Sequence, residues 1–219
     1  MRRFIEVRER YGWRLPFVVG AIAMQRWIRL RERISVMRFF LCTKGFKGSG
    51  LWLGRDIRAT PGGFLALSNG VSLGDRCTFE IGVNPEARVT VGENTWISRD
   101  FHLQSAGCVS IGRSVLVGEF VSVRDTTHSY GDSDLPIREQ PDVISSIAIE
   151  DGVWIGRGCL IQASPPGLTV GRGAIIGANS VVNRPIPAME IWGGVPARML
   201  KRRGQTETPC CKQSRTEDQ

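Results

Sequence analysis

The sequence predicts an all-β fold in which short parallel strands coil into a triangular prism, preceded by an α-helical segment. Three observations predict it. From Leu53 onward an aliphatic residue recurs every six positions, as at Ile149, Ile155 and Ile161, with a small or branched residue four positions after it. The 26 glycines are spread along the chain, as a fold with many regular corners requires. The count fails once, after Val123, where about twenty extra residues enter before Ile149. A period of six matches neither the alternation of a half-buried strand nor the 3.6-residue turn of a helix. Three such steps close one coil, and a coil with one apolar face is stable only when its neighbours stack on it.

Residues 1–50 form a basic amphipathic segment. They hold twelve Lys/Arg against three Asp/Glu, so the whole of the +8 formal charge resides here and the remainder is close to neutral. The arginine-rich start lacks the cleavage pattern of a secretory signal. Leu15 to Met24 is apolar but far shorter than the roughly twenty residues a bilayer span needs. Trp27, Leu30, Ile34, Met37 and Leu41 then step by three or four, with Arg26 just before them and four arginines between them. Such a helix has two readings: a cap over the open end of the prism, which hides edge strands, or a peripheral contact with an anionic membrane face. A nucleic-acid arm is disfavoured, because no recognition motif accompanies the charge.

Residues 51–203 form the prism. Its repeat positions are Leu53, Ala59, Leu65; Leu73, Phe79, Pro85; Val91, Ile97, Leu103; Ile111, Val117, Val123; Ile149, Ile155, Ile161; and Val170, Ile176, Val182, which make six coils. Ala59 and Pro85 are the weak members. The inserted loop, 127–148, carries His128, one of two histidines. Residues 204–219 are polar and aperiodic, the composition of a disordered tail.

The six cysteines show no CxxC pair and accompany no signal peptide, which points to reduced thiols and a cytoplasmic setting. Cys77 and Cys159 occupy the small inward slot of their repeats and read as core. Two histidines cannot supply the three ligands of a catalytic zinc site, so no metal is expected.

The spacing, together with DGVWIGRGCLI, VGRGAIIGANSVV and GGVPARMLKR, resembles the hexapeptide-repeat acyltransferases with a left-handed β-helix. Within them it looks nearest to the maltose and galactoside O-acetyltransferase branch and its relatives that acetylate surface polysaccharides. The resemblance spans roughly residues 53–201. It implies a homotrimer, acetyl-CoA in the groove between neighbouring prisms, a sugar or glycolipid acceptor, and His128, in VRDTTHSYGD, as the catalytic base. The coenzyme positions it implies are Arg157, Ala178, Asn183, Arg184, Arg198 and Lys201. Arg157 and Asn183 replace smaller or hydroxylated residues that are more usual there.

Acetyl transfer from a thioester to a hydroxyl needs a base, oxyanion donors and a seat for the coenzyme. Neutral imidazole suits the first. Asp125 and Asp132, near in sequence, are the candidates to orient the ring, and the amides around Gly156 to Gly158 are candidate oxyanion donors. Asp100, His102 and Asp125 are the candidate acceptor-side residues, His102 being more readily an ordinary surface strand position. Arg184, Arg198 and Lys201 offer cations to a nucleotide phosphate, whereas Ala178 acts through its backbone. The acetylated sugar, and O- against N-acetylation, are not legible. A non-catalytic scaffold built on the same prism is the competing reading.

Overall fold

The computed structural model describes residues Met24, Met37, Phe39–Leu41 and 43–204. Residues 43–204 form a three-faced parallel β-prism. The first face stacks Trp52–Leu53, Ser72–Leu73, Trp96–Ile97, Leu116–Val117, Trp154–Ile155 and Ile175–Ile176, and is closed above by Glu190–Gly194 and the antiparallel Ala197–Arg202. The second stacks Arg58–Ala59, Thr78–Ile81, His102–Ser105, Ser122–Arg124, Leu160–Gln162 and Val181–Val182. Phe64–Leu67, Arg88–Val91, Cys108–Ile111, Ser146–Ile149 and Leu168–Val170 make the third.

Each strand is short because the six-residue step leaves room for one inward aliphatic side chain and a corner. Those aliphatics are buried: Leu73, Phe79, Ile97, Leu103, Val117, Val123, Ile155 and Ile161 form one continuous core column. Burying each such side chain is worth about 1.5 to 3 kcal/mol, so the column supplies the main stabilisation. Cys77 and Cys159 lie in it as expected, and burial pushes the Cys77 thiol up to about 12. Corners pack backbone against backbone. A Cβ on Gly118 would lie 2.6 Å from the Arg157 amide nitrogen of the coil above, which only glycine avoids.

One expectation is corrected. Pro85 is not a strand position: it lies in an exposed turn where the Asn84 side-chain oxygen accepts the Glu86 and Ala87 amides, and Ala87, Val89 and Val91 point inward instead. A proline has no N–H to give to a ladder. At the first-coil end the inward helical residue is Phe39, 3% exposed, whereas Met37 and Leu41 are 55% and 77% exposed. Phe39 joins the prism core, and its carbonyl accepts the Thr43 amide and hydroxyl as the helix ends. Below Phe64–Leu67, Lys44 and Lys47 bridge to the third face. Trp27, Leu30 and Ile34 lie outside the described residues, as does the tail from residue 205.

Candidate functional site

The insertion leaves the second face after Arg124 and rejoins the third at Ser146. Between them Thr126–His128 and Asp142–Ile144 pair antiparallel, with His128 directly opposite Asp142. Directly opposed residues bring their Cβ atoms within about 5 Å, close enough for the two side chains to meet. His128 Nδ1 stands 2.8 Å from Asp142 Oδ1. A neutral ring that turns an Nδ1 proton toward that carboxylate carries its lone pair on Nε2.

The hairpin is anchored at both ends. At its tip the buried Gln140 amide donates to the Asp132 and Leu135 carbonyls at 2.7 and 3.0 Å and accepts the Asp132 amide at 3.2 Å. At its root Gln162, one coil above, donates to the Thr126 carbonyl at 2.8 Å. Asp125 is fully buried, and its carboxylate accepts the Ser105 hydroxyl at 2.6 Å, the Ala106 amide at 2.9 Å and the Gly107 amide at 3.0 Å. Its own carbonyl accepts the Ser145 amide from the returning strand. Asp125 therefore fastens the root of the hairpin, and neither orients the imidazole nor faces an acceptor. Asp132 accepts the Asp134 amide within the tip. The carboxylate beside the imidazole is Asp142, which adjacency in sequence does not indicate and hairpin register does.

The other expected positions fall in separate places. Asp100 lies on the corner between the first and second faces, bound by both Arg76 Nε and Nη2 at 2.6 and 2.7 Å, and that guanidinium holds its carboxyl below the usual range. An aspartate so engaged is a corner clasp, not an acceptor contact. His102 lies on the outer side of the second face, its Nε2 3.4 Å from Glu80 Oε1. Arg157 and Ala178 come together on the first corner, lining a cavity of about 410 Å³ with Trp154 and Ile176. Asn183 and Arg184 are exposed on the corner that carries the hairpin, two coils higher. Arg198 and Lys201 lie on the return strand closing the first face. The Gly156 and Gly158 amides are engaged by the Ile176 and Glu119 carbonyls, so they are not oxyanion donors.

Beside Arg157 is a residue that sequence reasoning passed over. Phe120 is 49% exposed, and the guanidinium carbons of Arg99 and Arg157 both stand 5.8 Å from its ring centre. Among the described residues no cluster of three His, Cys, Asp or Glu side chains forms a metal site, and no helix is long and apolar enough to cross a membrane.

No family model matches the sequence. A protein of Mycobacterium tuberculosis named a probable acetyltransferase is 29% identical over 86% of this chain and 62% of its own length. One of Escherichia coli, named for lipopolysaccharide biosynthesis O-acetyl transfer, is 30% identical over 60% of this chain and 71% of its own. The structure of a hexapeptide-repeat acetyltransferase from Vibrio cholerae complexed with acetyl coenzyme A superposes with a TM-score of 0.53 at 25% identity, covering 78% of this chain and 76% of that one. Fold, repeat and sequence relatives agree: the chain belongs to the hexapeptide-repeat acetyltransferases, and its prism is their left-handed parallel β-helix.

Proposed function

We propose that this protein is an acetyl-CoA-dependent O-acetyltransferase that modifies a sugar hydroxyl during the synthesis of a surface polysaccharide or lipopolysaccharide. The observation that carries this reading is the 2.8 Å approach of His128 Nδ1 to Asp142 Oδ1 on a projecting hairpin. His128 Nε2 takes the proton from the acceptor hydroxyl as that oxygen attacks the thioester carbonyl. Asp142 stabilises the imidazolium, and the same proton then goes to the departing thiolate. No covalent acyl-enzyme is needed. The acetyl-transfer names of the relatives, one of them tied to lipopolysaccharide, support the same reaction and acceptor class.

The cavity on the first corner fits the coenzyme: Trp154 and Ile175 offer an apolar wall to a pantetheine arm, and Arg157 a cation. When bound there, acetyl-CoA supplies the activated acyl group. Arg184, Arg198 and Lys201 are the remaining cations proposed to meet its phosphates.

A single prism holds His128 and this cavity on opposite edges of its second face. The lower edge of the cavity is level with the hairpin, because Gly118–Glu119 and Ser122–His128 belong to the same coil. A rotation about an axis parallel to the prism preserves height, so it brings the hairpin of one subunit level with the first corner of its neighbour. This favours a cyclic homotrimer with each site shared by two subunits. The excess charge of residues 1–50, with Phe40, Leu41 and Phe46 exposed nearby, supports a cytoplasmic enzyme resting on the inner membrane face, where a lipid-linked acceptor would be presented.

The test is thiol release from acetyl-CoA with glycan acceptors. His128→Ala is expected to lower kcat by about 10² to 10⁴ without changing the fold. Equal turnover in that variant removes His128 from the reaction.

A further inference from the structure

A second groove lies on the same corner, below the cavity just described. It has a volume of about 570 Å³ and is lined by Trp52, Arg55, Asp75, Trp96, Arg99 and Glu119, among others. Glu119 lines both cavities, so the two are adjacent and meet at the coil that carries His128. Nothing in the chemistry above uses the lower one.

Its floor is unusual. Trp52, Ser72 and Trp96 follow one another in register on the outer side of the first face. The small Ser72 side chain leaves space over which the two indoles stack, with centres 6.1 Å apart and planes 17° apart. The rings are nevertheless 54% and 51% open to solvent. Large flat apolar surface left in water marks a binding surface when polar groups rim it. Here the rim is charged and balanced: Arg55 Nε and Nη2 pair with Asp75 Oδ2 at 3.1 and 2.7 Å, and Arg99 and Glu119 add one charge of each sign. A groove of zero net charge repels neither sign and rewards neither. It suits a ligand with weakly polar flat faces and many hydroxyls around its edge.

The geometry points to this groove as the binding site for an extended, uncharged stretch of the acceptor glycan, whose pyranose C–H faces pack on Trp52 and Trp96 while its hydroxyls meet the Arg55–Asp75 pair and Glu119. The inference rests on the O-acetyltransferase reading and extends it. The glycan runs up the first corner from the lower groove, the coenzyme runs down from the upper cavity, and the two meet level with Glu119 and Phe120. A symmetric assembly puts the partner subunit's His128 at that level. The enzyme then prefers a chain to a free sugar, because the residue that is acetylated and the residues held by the tryptophans are different ones.

The test compares wild type with Trp52→Ala, Trp96→Ala and the double variant. Uncharged galactose, glucose and mannose oligosaccharides of one to six units are the probes, with a uronate series as the charged arm. In wild type the apparent KM is expected to fall about tenfold or more from monosaccharide to hexasaccharide in at least one uncharged series. The double variant should lose that advantage while keeping KM for acetyl-CoA and kcat on the monosaccharide. Without acetyl-CoA, the same hexasaccharide should change tryptophan fluorescence in wild type and not in the double variant. The site is overturned if turnover depends on His128 but the length preference is absent or survives the double substitution, if only the uronates gain with length, or if the double variant changes oligomeric state, which makes the tryptophans a subunit contact. Fluorescence binding without acetyl transfer to any glycan overturns the reaction and leaves the groove standing. Matching melting temperatures of the variants confirm that they are folded.

Discussion

Replacing Asp142 by asparagine keeps the shape of the hairpin and removes one charge from the imidazolium's partner. Opposite unit charges about 4 Å apart are worth about 1 kcal/mol in water-like surroundings and about 4 kcal/mol at the effective dielectric of a protein surface. With 69% of His128 and 56% of Asp142 exposed in the single chain, solvent screening puts the pair at the lower figure; a neighbouring subunit closing over it moves the value upward. Converted at about 1.4 kcal/mol per tenfold, kcat should fall between about fivefold and about 10³-fold, with KM for acetyl-CoA unchanged. The assay is thiol release at saturating acceptor on wild type, Asp142→Asn, His128→Ala and the double variant. If Asp142 acts through His128, Asp142→Asn costs nothing further once His128 is gone. An equal loss in both backgrounds refutes the dyad, as does full activity in Asp142→Asn.

Asp125→Ala leaves the Ser105 hydroxyl and the Ala106 and Gly107 amides without their acceptor in the interior. At about 1 to 3 kcal/mol per unsatisfied buried group it should lower stability by several kcal/mol in chemical denaturation, whereas Asp132→Ala at the exposed tip should change it little. Asp75, Asp100 and Asp151 are held below the carboxylate value of 3.8 by Arg55, Arg76 and Arg113. Because their folded values lie below the unfolded one, their contribution is complete above about pH 4 and is lost as pH falls through the folded values. The acid limb of the melting curve should accordingly be shallower in an Asp75→Asn, Asp100→Asn, Asp151→Asn variant. Acetyl-CoA at 100 times its Kd should stabilise the native chain by about 2.7 kcal/mol; no rise in Tm at millimolar coenzyme favours a non-catalytic scaffold.

The prism was legible because its rule is one-dimensional: a residue every six positions faces inward, so Ile149, Ile155 and Ile161 declare themselves without knowledge of their neighbours. Pro85 failed that count because an Asx turn at Asn84 stretches one corner and resets the phase, an event no period records. In the helical segment the stripe shows which residues are apolar but not which of them the prism covers. Met37 and Leu41 belong to the apolar stripe, yet the prism end selects Phe39, the residue beside which the chain turns to bridge the third face. In the candidate site the base was legible as a residue in a broken repeat. Its partner was not, because Asp142 lies fourteen positions away and meets His128 only through antiparallel register. Asp125 shows the converse: it is near His128 in sequence, but its carboxylate is turned inward by three donors on the coil below.

One turn position recurs at the first corner in every coil, filled by Asp56, Arg76, Asp100, Phe120, Gly158 and Asn179, all at φ between 53° and 67°. Glycine, asparagine and aspartate accept that left-handed conformation readily, whereas a bulky side chain pays about 1 to 2 kcal/mol for it. Two bulky residues hold it: Arg76, whose guanidinium binds Asp100, and Phe120, which falls in the one coil where the upper cavity, the lower groove and the insertion coincide, where strain retained for function belongs. Phe120→Gly is therefore expected to raise stability by about 1 kcal/mol, a Tm gain of about 2 to 4 °C for a chain of this size, and to raise KM for acetyl-CoA or for the glycan by freeing Arg99 and Arg157 from their shared ring. A lower Tm in that variant would mean that the two cation contacts outweigh the strain. Phe120 would then be a structural residue of the corner, and the convergence of the two grooves upon it would have no bearing on the reaction.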